Sequence, residues 1–176
     1  MTVLGISGSL RAGSHNTRLL RAAADLLPPG TELREYTALG DIPPFNEDAE
    51  HSPPPAVVAL KRAVADADAV LIATPEYNHS IPGVLKNALD WISRPIAESP
   101  MRGKPALVVG ASTGMFGAVW AQAETRKVLG ALGARVVDEE LPVAKAPDGL
   151  DDRELLTRLE ELLGQLVTHP VLSRAA

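Results

Sequence analysis

The chain has no cysteine among its 176 residues. That absence excludes disulfide cross-links, thiol nucleophiles, iron–sulfur clusters and cysteine-held zinc, and no metal site is expected. Aromatic residues are scarce, two each of Phe, Trp and Tyr, so an aromatic placed in a loop stands out. No apolar run approaches the length of about 18 residues that a spanning helix needs. The opening MTVLGIS lacks a basic segment followed by a long apolar stretch, so neither a membrane span nor a secretory leader is expected. Basic residues are in deficit: Lys and Arg number 17 against 22 Asp and Glu, a net charge of −5. Without a bulk basic field, nucleic acid is not an expected partner. Size and the lack of targeting signals lead to the expectation of one domain over residues 1–176 in the cytoplasm.

What is present is an alternation. Val3–Ile6, Leu33–Tyr36, Ala69–Ala73 and Ala106–Gly110 read as strands, and Arg135–Val137 begins a short fifth. Between them run helical patterns: Leu19, Leu20 and Ala23; Val57, Leu60 and Val64; Val84, Leu85, Ala88, Leu89 and Ile92; Phe116, Trp120, Ala123, Leu129 and Leu132. A last helix carries Leu155, Leu159, Leu162, Leu163 and Leu166, with Asp151 and Asp152 as expected caps. The third and fourth strands are apolar throughout, as strands covered on both faces are. Strands alternating with helices imply a doubly wound parallel sheet, and in such a sheet ligands bind at the carboxyl ends of the strands. A proline-rich stretch from Asp41 to Pro55 reads either as a lid or interface arm or as a plain surface excursion.

Three loops follow strands one, three and four. The first, Gly8–Arg18 (GSLRAGSHNTR), joins a buried strand to a helix start. Free amides and the positive end of the helix dipole favour an anion there, and Arg11 adds a phosphate-matched fork. A capped turn without ligand is the alternative. Gly8 and Gly13 have the glycine spacing of a P-loop, but Ser14 and His15 stand where Lys and Ser or Thr are needed, which argues against triphosphate chemistry. Gly5, Gly8 and Gly13 do not fit the dinucleotide fingerprint, and strand two ends near Tyr36 and Thr37 rather than at an acid, so a stably bound NAD is disfavoured. A terminal monophosphate fits the hydroxyls best. The second loop, Thr74–Gly83 (TPEYNHSIPG), sets Tyr77 and Asn78 between two prolines, as a planar heterocycle would require. The third, Ala111–Gly117 (ASTGMFG), lets the backbone approach a ligand closely.

GSLRAGSHN at 8–16, DIPPFNED at 41–48, PEYNHSIPGVLKNALDW at 75–91 and GASTGMFGAVWAQAETR at 110–126 together resemble the NADPH-dependent FMN reductase family, which includes quinone, chromate and azo-dye reductases. The resemblance covers nearly the whole chain. It implies a flavodoxin-like α/β three-layer sandwich, with a five-stranded parallel sheet of order 2-1-3-4-5 and helices on both faces. It implies FMN as cofactor and NADPH, or NADH, as co-substrate. Ser9, Arg11, Ser14, Asn16 and Thr17 would hold the phosphate. Pro75, Glu76, Tyr77 and Asn78 would line the ring, Ser80 would contact the ring or cap the third helix, and Ser112, Thr113, Gly114 and Gly117 would border the pyrimidine side. The Gly83–Ser93 helix and the Asp41–Asp48 loop resemble the family's dimer surface. Trp120 and Ala123 stand where tetrameric members carry Arg and Tyr, so a homodimer is expected, with a homotetramer the alternative.

The reaction so implied is ping-pong hydride transfer from NAD(P)H by way of FMN to a small electron acceptor: a quinone, flavin, azo compound or metal oxyanion. No catalytic side chain is required, because the flavin carries the chemistry; His79 could relay a proton but reads better as a loop histidine with no special role, and Glu76 reads as a positioning or solvent-facing group. The rival readings are a flavodoxin-like electron carrier without turnover of its own and a flavin-free protein that keeps the fold.

Overall fold

The computed structural model describes residues 1–146 and 148–168. Its strands are β1 (Thr2–Ser7), β2 (Glu32–Tyr36), β3 (Ala69–Ala73), β4 (Pro105–Ala111), β5 (Arg135–Val136) and β6 (Pro142–Val143). Its helices are α1 (His15–Asp25), α2 (Pro55–Asp66), α3 (Gly83–Ile92), α4 (Val119–Ala131) and α5 (Arg153–Thr168). The sheet runs β2-β1-β3-β4-β5, with every pairing parallel and β6 also paired to β4. This is the expected order.

The fifth position differs in detail. Instead of one strand, β5 pairs with the start of β4 and β6 with its end. Residues 137–141 lie between, Asp138, Glu139 and Glu140 among them, and stand opposite only residues 107–109 of β4. Arg126 of α4 reaches Glu140 and Asp138, and Arg158 of α5 pairs with Glu139. The extra length bulges out of the ladder and interrupts the edge strand, and its acids face cations on the flanking helices.

Each central strand divides its side chains between two cores. Val3, Leu71, Leu107 and Val109 meet Leu19, Leu20 and Ala23 of α1 and Leu159, Leu162, Leu163 and Leu166 of α5. Leu4, Ile6, Val70, Ile72 and Val108 meet α2, α3 and Leu129 of α4. Burial on both faces is why β3 and β4 read as unbroken apolar runs.

Helix starts follow local chemistry. Ser14 caps α1 by accepting the Thr17 amide, and proline opens α2. At α5, Asp152 alone accepts the Glu154 amide at 2.8 Å; Asp151 ends the preceding 3-10 turn and does not cap. Phe116 lies outside α4, because Gly117 and Ala118 both adopt left-handed backbone, with φ of 56° and 62°, and break the helical path before Val119. The first part of the Asp41–Pro55 stretch is tied down to α3. Asn87 of α3 accepts the Phe45 amide at 2.7 Å and donates to the Pro43 carbonyl at 2.9 Å, Trp91 donates to the same carbonyl at 2.8 Å, and the Phe45 ring meets Trp91 edge-on.

Gly117 is fixed twice over. Its φ is +56°, and a Cβ there would lie 2.5 Å from the Pro142 carbonyl carbon. Gly30 also has positive φ, but a Cβ would meet nothing within 4 Å. Gly117→Ala is therefore expected to cost about 2–4 kcal/mol and Gly30→Ala about 1 kcal/mol, read as urea midpoints. Equal losses would mean that β6 yields freely to the added methyl.

Candidate functional site

The loops after β1, β3 and β4 converge at the carboxyl edge of the sheet around a cleft of about 170 Å³. Ser9, Arg11, Ser14 and Asn16 form one wall, Pro75, Glu76 and Tyr77 a second, and Ser112 and Thr113 a third. His15 and Ala111 line it as well and were not anticipated. His15 could have been found from its place in the first turn of α1; Ala111 has no side-chain signal. Thr17, Asn78, Ser80, Gly114 and Gly117 lie outside the lining. A larger groove of about 460 Å³ runs between α2 and the segment after α3, with Lys61, Arg62, Glu50 and Glu98 along it. It touches none of the three loops. Burial pushes its Lys61 ammonium below the usual lysine value, against the pull of Glu50 and Glu98.

The β1–α1 loop is open to an anion. The amides of Ala12, Gly13, His15 and Asn16 find no acceptor among the described residues. They sit at the positive end of α1. The Arg11 guanidinium folds back over Gly13, with Nη1 3.3 Å from where a Cβ would stand. Among the described residues no acid pairs with it. His15 contributes a buried Nδ1 that likewise has no partner there. Thr17 works behind the wall, donating to Ser7 Oγ at 3.0 Å.

Asn16 is a fastener. Its amide nitrogen donates to the Ala111 carbonyl and its oxygen accepts the Ala111 amide, both at 2.9 Å. The side chain is thereby spent on tying the start of α1 to the end of β4, and its backbone amide finds no acceptor among the described residues. On the far side, Gly114 and Ser112 carbonyls accept the Lys145 and Ala146 amides, each at 3.0 Å, which holds the third loop from below.

The β3–α3 loop is a closed turn. Tyr77 and Ser80 exchange amide–carbonyl bonds at 3.2 and 3.1 Å, and Asn78 and His79 between them are both left-handed. Glu76 points across to α4, where Oε2 accepts the Trp120 amide at 3.0 Å and the Ala121 amide at 3.2 Å. Ser80 does not cap α3, whose first residue follows Pro82 without a side-chain cap; its hydroxyl donates to Glu124 instead. Tyr77, Met115, Phe116 and Trp120 are exposed at 53%, 73%, 58% and 40%. The Phe116 and His79 rings both meet Trp120 edge-on, with centroids 5.0 and 4.8 Å apart. The cleft thus has a polar, cationic wall beside α1, with Tyr77 in its lining, while Met115, Phe116 and Trp120 are exposed on and beside the start of α4, outside that lining.

A parallel sheet of this order, with an anion cradle between β1 and α1, defines the flavodoxin-like class of α/β proteins. The solved structure of FerB, a flavoenzyme NAD(P)H:(acceptor) oxidoreductase from Paracoccus denitrificans, is similar with a TM-score of 0.82 and 35% identity, over 94% of each chain. An NAD(P)H-dependent FMN reductase of Pseudomonas aeruginosa is 45% identical over 93% of this chain and 89% of its own length. A quinone reductase of Escherichia coli K12 is 38% identical over 79% of this chain and 74% of its own. The sequence profile of the NADPH-dependent FMN reductase family matches residues 1–148. The chain belongs to that family and is an oxidoreductase.

The Asn16 fastener has a measurable weight. Asn16→Ala leaves two buried backbone groups of Ala111 without partners, and a loss of about 2–4 kcal/mol in unfolding free energy is expected. A midpoint unchanged in denaturant would mean that water replaces the amide.

Proposed function

We propose that the chain acts as one FMN-binding domain over its length and transfers reducing equivalents from NAD(P)H to a small electron acceptor. The observation that carries this reading is the set of unpaired amides and the unpaired Arg11 at the start of α1, beside a rim of exposed aromatic side chains. The donor set fits a phosphomonoester: several N–H groups, hydroxyls of Ser9 and Ser14, and one fixed positive charge. Arg11, Ser9, Ser14 and the amides of His15 and Asn16 would hold the phosphate, with Thr17 bracing Ser7 behind them. The cleft, at about 170 Å³, is smaller than the ~300–1,000 Å³ of sites that enclose a whole ligand. It suits the phosphate end, while Pro75, Glu76, Tyr77 and Asn78 would border the ring on the open side and Ser112, Thr113, Gly114 and Gly117 its pyrimidine edge.

FMN, when bound, supplies the capacity to accept a hydride and release electrons to a second substrate. The protein's part is binding, orientation and access. Pro75 is buried and the Tyr77–Ser80 turn is closed on itself, so the loop is rigid before any ligand arrives. The exposed rim of Tyr77, Phe116 and Trp120 leaves one face accessible, where nicotinamide and acceptor would bind in turn, which is ping-pong order. No side-chain acid or base is assigned. His79, with Nδ1 3.6 Å from Glu76 Oε1, belongs to the loop's own framework. Quinones are the acceptor class that a flat aromatic rim fits best. The reading includes a homodimer and a cytoplasmic place, where NAD(P)H is supplied.

NADPH oxidation with a benzoquinone and added FMN tests the activity: turnover with parallel lines in a two-substrate plot is expected. FMN binding without any NADPH oxidation would mean an electron carrier, and no FMN uptake would remove the flavin altogether. For the cradle, Arg11→Ala is expected to weaken FMN by about 1.5–3 kcal/mol, the value of a charge-assisted contact. Unchanged affinity in a fluorescence titration would take Arg11 out of the site.

A further inference from the structure

The N-terminus of α4 has no cap of its own. Its flanking residue Ala118 is left-handed and offers no side-chain acceptor. Of the first amides, Val119 bonds to the Phe116 carbonyl and Gln122 to the Ala118 carbonyl. The two between them, Trp120 and Ala121, are taken by Glu76, from 44 and 45 residues away. Glu76 stands on the loop after β3, its side chain only 12% exposed. A carboxylate at a helix N-terminus is stabilised by both the amides and the dipole. Glu76 Oε1 also lies 3.6 Å from His79 Nδ1, and the His79 ring meets Trp120 edge-on at 4.8 Å. Glu76, His79 and Trp120 form one unit joining two of the three loops around the cleft.

We propose that Glu76 is a positioning residue for the cofactor site: by capping α4 it locks the Pro75–Ser80 turn to the loop and helix that follow β4, and so sets the width and orientation of the ring-binding side. This rests on the FMN reading of the cleft. It assigns the Glu76 carboxylate, whose Oε2 is engaged by the amides of α4, a role through the protein, while the rest of the residue would border the ring. The carboxylate fills the positive end of α4 while that of α1 stays open, so a phosphorylated ligand finds its anionic end directed to α1 alone of these two helices. Asn78 and His79 hold left-handed backbone, with φ of 53° and 61°. An anchored Glu76 on one side and the Tyr77–Ser80 bridge on the other hold that backbone in place.

The test compares Glu76→Ala with Glu76→Gln, which keeps an acceptor oxygen. Three quantities are measured: amide exchange at Trp120 and Ala121, FMN affinity, and steady-state constants for NADPH with a quinone. In Glu76→Ala, exchange at those two amides and the FMN dissociation constant are each expected to rise roughly tenfold, as loss of a cap allows, and kcat to fall more than the NADPH KM shifts. Exchange in β3 stays at the wild-type rate, which shows that the variant is folded. Glu76→Gln is expected to recover most of the affinity and of kcat. Unaltered exchange in Glu76→Ala, unaltered FMN affinity despite faster exchange, or a Gln variant as weak as the Ala variant would each overturn the proposal. A wild-type chain that takes up no FMN would instead defeat the cofactor reading, and the exchange comparison would still decide whether Glu76 holds α4.

Discussion

Backbone groups at the carboxyl edge of a parallel sheet have to be satisfied after the ladder ends, and this constraint shapes everything around the cleft. The chain meets it with side chains from distant segments. Asn16 pairs both backbone groups of Ala111. Gln122 donates to the Gly117 carbonyl and accepts the Leu141 amide. Asn87 holds the Phe45 amide and the Pro43 carbonyl. Glu76 takes two amides of α4. Apart from the Gln122–Gly117 bond, which ties α4 to the loop just before it, these bonds join segments far apart in the sequence, so the loops are braced by the fold itself. Preorganisation of this kind lowers the ordering cost of binding.

Against that background, the amides left unpaired carry the information. Among the described residues, the first turn of α1 keeps free N–H groups beside an unpaired guanidinium, whereas the first turn of α4 is filled by the protein's own carboxylate. Net charge does not create this contrast, since the chain as a whole is acidic at −5. It arises from where one glutamate and one arginine are held. An anion would therefore meet a local positive site on a negative molecule, with Tyr77 on another wall of the same cleft.

Much of this was legible in the sequence because its physical signals are local. Strands buried on both faces produce apolar runs, and β3 falls where its run does, at Ala69–Ala73. The phosphate-type loop announces itself through glycine, hydroxyls and Arg11 between a strand and a helix. What stayed hidden depends on contacts over long separations. Nothing local shows that Asn16 spends its side chain on Ala111, 95 residues away, or that Glu76 caps a helix on another loop. The interrupted edge strand shows only in its register against β4, and the ion pairs of Arg126 and Arg158 with Asp138, Glu139 and Glu140 only once the helices are packed. Phe116 carried the right spacing for α4 yet lies outside it, because two left-handed residues follow.

The claim on which the functional account depends is that the α1 cradle exists to hold a phosphate. Parallel titrations of the wild-type protein with FMN and with riboflavin test it directly, since the two ligands share the ring and differ in the phosphate. The account predicts that FMN binds at least about tenfold more tightly, a difference of about 1.4 kcal/mol or more, and that the gap narrows as salt rises. Equal affinities would contradict it, leaving the open amides and Arg11 without the role the fold gives them.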